Sequence, residues 1–148
     1  MESIFCDSLE YQVMMEWTMG FDFFFEKEMG YSILPYLPIV KKTVFYPETD
    51  IPGYIFEDSI ISDQINNDYF EMLTRCYCEN HLAEFEKVAE KHGKTVRYQV
   101  AYNKPFEGER CPLYVGIPEN EALGRPAIDF QKFMAAAAHF GRKKRYSF

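Results

Sequence analysis

Two clusters of carboxylates carry residue types able to move protons. Asp7 and Glu10, in Asp7-Ser8-Leu9-Glu10, follow the short apolar run Ile4-Phe5-Cys6. Glu119 and Glu121, in Ile117-Pro118-Glu119-Asn120-Glu121, lie in a loop after a second strand-like segment. Paired carboxyls suit acid–base work, one holding a proton to donate while the other, ionised, activates water. Acidic loops that follow two successive parallel strands converge on one mouth, which is the geometry such a pair needs. The chain holds 23 acidic residues, however, so two acidic loops also arise with no chemistry attached. Asp7 and Ser8 equally suit a helix N-cap, and Glu119 a solvated loop charge.

Other chemistries find less support. His81, His92 and His139 include no H-x-x-x-H pair and no cysteine–histidine arrangement. Gly108 and Gly124 are isolated, so no glycine-rich phosphate loop is present. Cys76 and Cys78 are two apart on an expected helix and point to different sides. With Cys6 and Cys111 they are expected to be buried or incidental thiols rather than a disulfide or zinc framework.

The elements that must position the acidic groups follow from periodicity. Ser3–Asp7 reads as a short buried strand. Residues 16–29 form a helix candidate with Trp17, Phe21, Phe24 and Phe25 at three- and four-residue spacing, ended by Gly30. Between Leu34 and Gly53 the prolines 35, 38, 47 and 52 allow only a loop with one short helical turn. Phe70, Leu73 and Tyr77, then Leu82, Phe85 and Ala89, predict a long helix over 67–92 that stops at Gly93. Val96, Tyr98, Val100 and Tyr102 alternate with polar partners in a strand over 95–102. An alanine-rich helix over 128–140, capped by Gly141, precedes a possible strand from Lys144. Short apolar strands separated by long helices imply parallel pairing with crossover connections. The expected class is therefore α/β: a partial (β/α)8 TIM-barrel segment, with parallel strands and long crossover helices.

Length limits this reading. A complete barrel needs roughly 200 residues or more, and the chain has 148. Its 47% hydrophobic content, with 14 Phe and 11 Tyr, is that of a folded chain. The aromatic rings suit sugar platforms, but any single ring is expected in the core. A net charge of −7 disfavours binding to nucleic acid, and the basic run 142–145 fits a solvated helix end. No stretch of about 18 apolar residues suggests a membrane span, and the amino terminus lacks a signal-peptide pattern.

The string Asp7-Ser8-Leu9-Glu10, then Glu16-Trp17-Thr18, Gly30-Tyr31 and Leu34-Pro35-Tyr36-Leu37-Pro38 resembles glycoside hydrolase family 106, the α-L-rhamnosidases. Pro118-Glu119-Asn120-Glu121 is similar to that family's Pro-Glu-Gly-Glu loop, and the 135–141 run to the helix before its next catalytic strand. Ser32 stands where the family has an aspartate. The resemblance covers most of the chain and implies that residues 1–148 are an internal fragment of a catalytic barrel. It implies hydrolysis of terminal α-L-rhamnosyl bonds in a rhamnose-containing glycan by an inverting two-carboxylate mechanism. Glu10 would be the general acid, and Asp7, Trp17, Glu119 and Glu121 would contact substrate. The second catalytic glutamate would fall just past Phe148, so the piece alone is expected to be inactive. The resemblance also implies a calcium ion in the parent enzyme's site, without assigned ligands, and a parent that is periplasmic or secreted. The rival expectations are a barrel glycosidase of another sugar specificity and a non-catalytic, carbohydrate-binding remnant.

Overall fold

A computed structural model describes residues 2–9, 13, 15–40, 59–100, 106–107, 110–120 and 128–143. The chain divides into two compact units. One comprises Met1–Glu10 with Thr74–Phe148, and the other Tyr11–Leu73.

The first unit is built on a three-stranded parallel sheet of order β1 (Ser3–Cys6), β2 (Thr95–Gln99), β3 (Ile117–Glu119). Cys6 pairs with Tyr98, and Tyr98 with Pro118. Parallel strands need a crossover, and the first runs through residues 7–94. The architecture is thus mixed helix and strand with a small parallel sheet, compatible with an α/β class; no barrel closes among the described residues.

Several expectations need correction. β1 is exposed rather than buried, with Phe5 at 47%. It lies at the outside of the described sheet and takes a partner on one side only. Glu119 is not in a loop after the second strand but ends a third strand. That strand is three residues long and contains Pro118, too short and too proline-marked to show in an alternation pattern. Among the described residues, no long helix joins β2 to β3; a 3-10 turn, Cys111–Tyr114, lies there instead. Residues 41–58, the strand's extension over 101–102 and the possible strand from Lys144 lie outside the described residues.

The long helix is present but longer than its periodicity implied. It runs as α2 (Ser59–Tyr77), passes through a π turn (Cys78–Leu82), and continues as α3 (Ala83–Lys91). Tyr77 and Leu82, both buried, are five residues apart, one more than an α-helical turn allows on one face. The π turn absorbs that extra residue and keeps both side chains in the core. α3 lies against β2 through Phe85 and Tyr98, whose ring centroids are 6.1 Å apart. His81 Nε2, on the π turn, is 2.7 Å from the Tyr98 hydroxyl. The final helix, α4 (Ile128–Phe140), has the expected bounds and packs on the 3-10 turn and β3. Its left-handed terminating residue is Arg142 (φ 51°) rather than Gly141.

Glu86 of α3 secures the amino-terminal ends of two strands. Its carboxylate accepts hydrogen bonds from Thr95 Oγ1 (2.7 Å), the Val96 amide (3.1 Å) and the Gly116 amide (2.9 Å). Gly116 permits this approach because it has no side chain: a Cβ there would lie 1.9 Å from Thr95 Oγ1 and 2.6 Å from Glu86 Oε1.

The second unit is an aromatic cluster. α1 (Phe21–Met29) starts five residues later than expected because Gly20 is left-handed (φ 78°), which excludes Glu16 to Thr18 from the helix. Phe21 and Phe25 are buried, and Phe21 meets Tyr69 of α2 edge-on at 5.7 Å. The Tyr69 hydroxyl donates to the Glu16 carbonyl at 2.5 Å. A 3-10 turn, Leu34–Ile39, supplies the one short helical turn expected among the prolines. Asn66 fastens it to α2 by donating to the Ile39 carbonyl.

Two stability measurements follow. Gly116→Ala should lower the unfolding free energy by roughly 1–3 kcal/mol in urea titrations, and adding Thr95→Ala should recover part of that loss. His81 lies on the core side of the π turn, and burial holds its imidazole below its ordinary value. The folded state therefore favours neutral His81. Its contribution is complete above the unfolded value of about 6.5 and is lost as pH falls below it. Urea midpoints should drop between pH 7.5 and 5.5, and His81→Gln should flatten that slope.

Candidate functional site

The carboxyl ends of parallel strands are where backbone termini and loops leave a crevice for ligands. Here the register sets which residues reach that edge. Gln99 pairs with Glu119, and the Cys6–Tyr98 pair puts Asp7, one residue on, level with both. Tyr98 faces α3, so strand alternation sends Arg97, Gln99 and Glu119 to the opposite face.

On that face the side chains are connected. Gln99 Nε2 donates to Glu119 Oε1 at 3.1 Å. Arg97 Nε lies 2.9 Å from Glu119 Oε2, close enough for charge pairing but not aligned as a hydrogen bond. The Arg97 guanidinium also sits over the Phe5 ring, 4.6 Å from its centroid, a cation–π arrangement across β1 and β2. Gln99 and Glu119 are both buried. Asn120, the residue after β3, is 2% exposed.

Five buried polar atoms at this end of the strands make no hydrogen bond: Arg97 Nε and Glu119 Oε2, which lie against each other as an ion pair, Gln99 Oε1, and both Nδ2 and Oδ1 of Asn120. Leaving a buried donor or acceptor unmade costs about 1–3 kcal/mol each. Native structures keep such atoms rare and tend to place them where a ligand, water or ion completes them. Asn120 offers one donor and one acceptor side by side, a pattern that matches two adjacent hydroxyls.

The sequence-derived candidates fare unequally. Glu119 is at the centre of the cluster, held by Gln99 and Arg97. Asp7 is exposed at the end of β1, and its Oδ1 accepts the Ser8 amide at 2.8 Å; no described helix begins there, so it serves no N-cap among the described residues. Trp17 is half-exposed, packs on Phe21 with centroids 4.8 Å apart, and belongs to the other compact unit. Glu10 and Glu121 lie outside the described residues. Arg97, Gln99 and Asn120 were missing from the candidate set. Their signal was modest: two polar residues on the non-core side of an alternating strand, and an amide between two glutamates.

For the calcium ion expected of the parent enzyme, Asp7 and Glu119 are suitable oxygen donors among the described residues, and Glu121 lies outside them. Glu119 already has the Arg97 guanidinium beside it, and a cation would compete with that charge. No group of three histidine, cysteine, aspartate or glutamate side chains among the described residues is placed to hold a metal. Nor is any described helix long and apolar enough to cross a membrane.

Comparison with known proteins adds one relation. Over 129 residues, 83% of this chain, the sequence is 27% identical to a protein of Formosa agariphila described as "Putative beta-glucuronidase". The chain spans only 10% of that relative's length. No family model matches the chain, and no solved structure matches it.

Removing the guanidinium tests the cluster. Arg97→Met should destabilise the protein by roughly 1–3 kcal/mol, because the buried Glu119 carboxyl loses the guanidinium beside it. Arg97→Met with Glu119→Gln should lose less than the sum of the single changes in a double-mutant cycle.

Proposed function

We propose that this chain is a segment of a glycoside hydrolase and supplies part of its carbohydrate-binding cleft. The observation that carries the reading is the buried, incompletely hydrogen-bonded pair Gln99–Glu119, followed in the chain by buried Asn120, at the carboxyl edge of a parallel sheet. Sugars present adjacent hydroxyls that both donate and accept, which complements an amide–carboxylate pair with a second amide next in the chain. The relation to a protein described as a β-glucuronidase supports the same class of substrate.

Within this reading the cleft belongs to a (β/α) barrel, and the reaction is the inverting hydrolysis of a terminal α-L-rhamnosyl bond. Glu10, three positions beyond Asp7, acts as general acid on the departing oxygen. The water-activating carboxylate stands roughly 6.5–9.5 Å away and comes from outside the described residues. Glu119, held beside Arg97, binds substrate, and Asp7, just past β1, is a further substrate contact. Glu121, two positions beyond Glu119, completes the proposed substrate contacts. The sugar is the open variable: the motif string favours rhamnose, whereas the Formosa agariphila protein carries the description "Putative beta-glucuronidase".

The test is binding first, turnover second. Titration of the chain with L-rhamnose, D-glucuronate and D-glucose, followed by amide NMR shifts, should perturb Asn120 and Gln99 with rhamnose. Asn120→Ala should weaken that binding about tenfold, the worth of roughly one or two hydrogen bonds. Perturbation by glucuronate instead would move the specificity and leave the cleft in place. No perturbation at either residue by any sugar would remove the carbohydrate reading. In a longer chain that cleaves aryl glycosides, Glu10→Gln should cut turnover on poor leaving groups by at least about 100-fold.

A further inference from the structure

Two buried thiols meet inside the sheet-bearing unit. Cys78 opens the π turn and Cys111 opens the 3-10 turn ahead of β3. Both are fully buried, 33 positions apart in sequence, with their Sγ atoms 3.7 Å apart. Cys6 and Cys76 are half-buried, and no other two sulfurs are in contact among the described residues. All four cysteines are free thiols in this structure.

We infer that Cys78 and Cys111 form a crosslinking site, joined as a disulfide when the chain folds in the presence of a low-molecular-weight disulfide such as oxidised glutathione. One cysteine, deprotonated, attacks a glutathione sulfur, and the first glutathione leaves as a thiolate that takes up the proton. The second cysteine then displaces the remaining glutathione from the mixed disulfide. Two protein thiols lose their hydrogens, and one oxidised glutathione becomes two reduced ones.

The geometry favours this pair over any other. The sulfurs need only close from van der Waals contact to a bond of about 2.05 Å. Cys78 lies in a π turn, whose widened ring departs from the tight α-helical ladder and leaves room for a small backbone shift. Cys76, two residues earlier on the same helix, points to another side and cannot substitute. Once the unit is closed, burial and the neighbouring Cys78 hold the Cys111 thiol well above its ordinary value. Exchange needs a thiolate and access, so the bond forms during folding or through local opening.

The bond would tie the long helix to the segment that leads into β3, and so to Glu119 and Asn120. It does not depend on the carbohydrate reading. Closing a 33-residue separation also restricts the denatured chain.

The test is to refold the reduced chain in a glutathione redox buffer, alkylate the remaining thiols, and map peptides without reduction. The expected result is one crosslinked pair containing Cys78 and Cys111, with Cys6 and Cys76 alkylated. Tm should lie roughly 5–15 °C above the same sample in dithiothreitol. The Cys6→Ser, Cys76→Ser double variant should give the same crosslink and the same shift, so the pair is tested with its own residues intact. Alkylated Cys78 and Cys111, glutathione retained on either, or a crosslink through Cys6 or Cys76 would overturn the inference. So would a Cys78–Cys111 link that leaves Tm unchanged or lowers it.

Discussion

Glu86 is the contact on which the sheet-bearing unit depends. A single carboxylate on α3 accepts two backbone amides and a threonine hydroxyl from the starts of β2 and β3. Charge-assisted hydrogen bonds of this kind are shorter and stronger than neutral ones. They also fix relative position, because one carboxylate can satisfy three donors only if both strands arrive at one height. That height sets the Gln99–Glu119 row two turns of the pleat further on. Gly116 is the geometric condition, since any side chain there would occupy the space that Thr95 and Glu86 share.

The long helix meets the sheet through a compromise in its own geometry. Tyr77 and Leu82 both reach the core although they are five residues apart, and the π turn between them makes that possible. The same turn carries Cys78 and His81. His81 sits against Tyr98 and stacks on Tyr77 with ring centroids 5.5 Å apart. A local departure from α-helical hydrogen bonding thus lets one helix serve aromatic packing, a half-buried imidazole and a thiol contact together.

At the opposite end of the strands the logic reverses. The Glu86 end is satisfied, whereas the Gln99–Glu119–Asn120 end keeps buried donors and acceptors unmet. Stability alone would favour apolar side chains there. On the proposed reading a hydroxyl-rich ligand would meet these groups, and Arg97 already lies beside Glu119.

The sequence alone determined the elements whose signal is local. The alternation of Val96, Tyr98 and Val100 marks β2, the spacing of Phe85 and Ala89 marks α3, and the alanine run marks α4, because side-chain periodicity is a property of each segment by itself. Glu119 was also visible as a candidate, through its acidic neighbours. Tertiary structure decided what depends on contacts between distant segments. β3 is three residues with a proline, and it exists as a strand because β2 offers it a partner. β1 is apolar yet exposed, since its neighbours and not its composition set its burial. Arg97 and Gln99 met Glu119 only when parallel register aligned residues about twenty positions apart. The Cys78–Cys111 contact likewise spans 33 positions, a distance at which sequence spacing says nothing about which sulfur meets which.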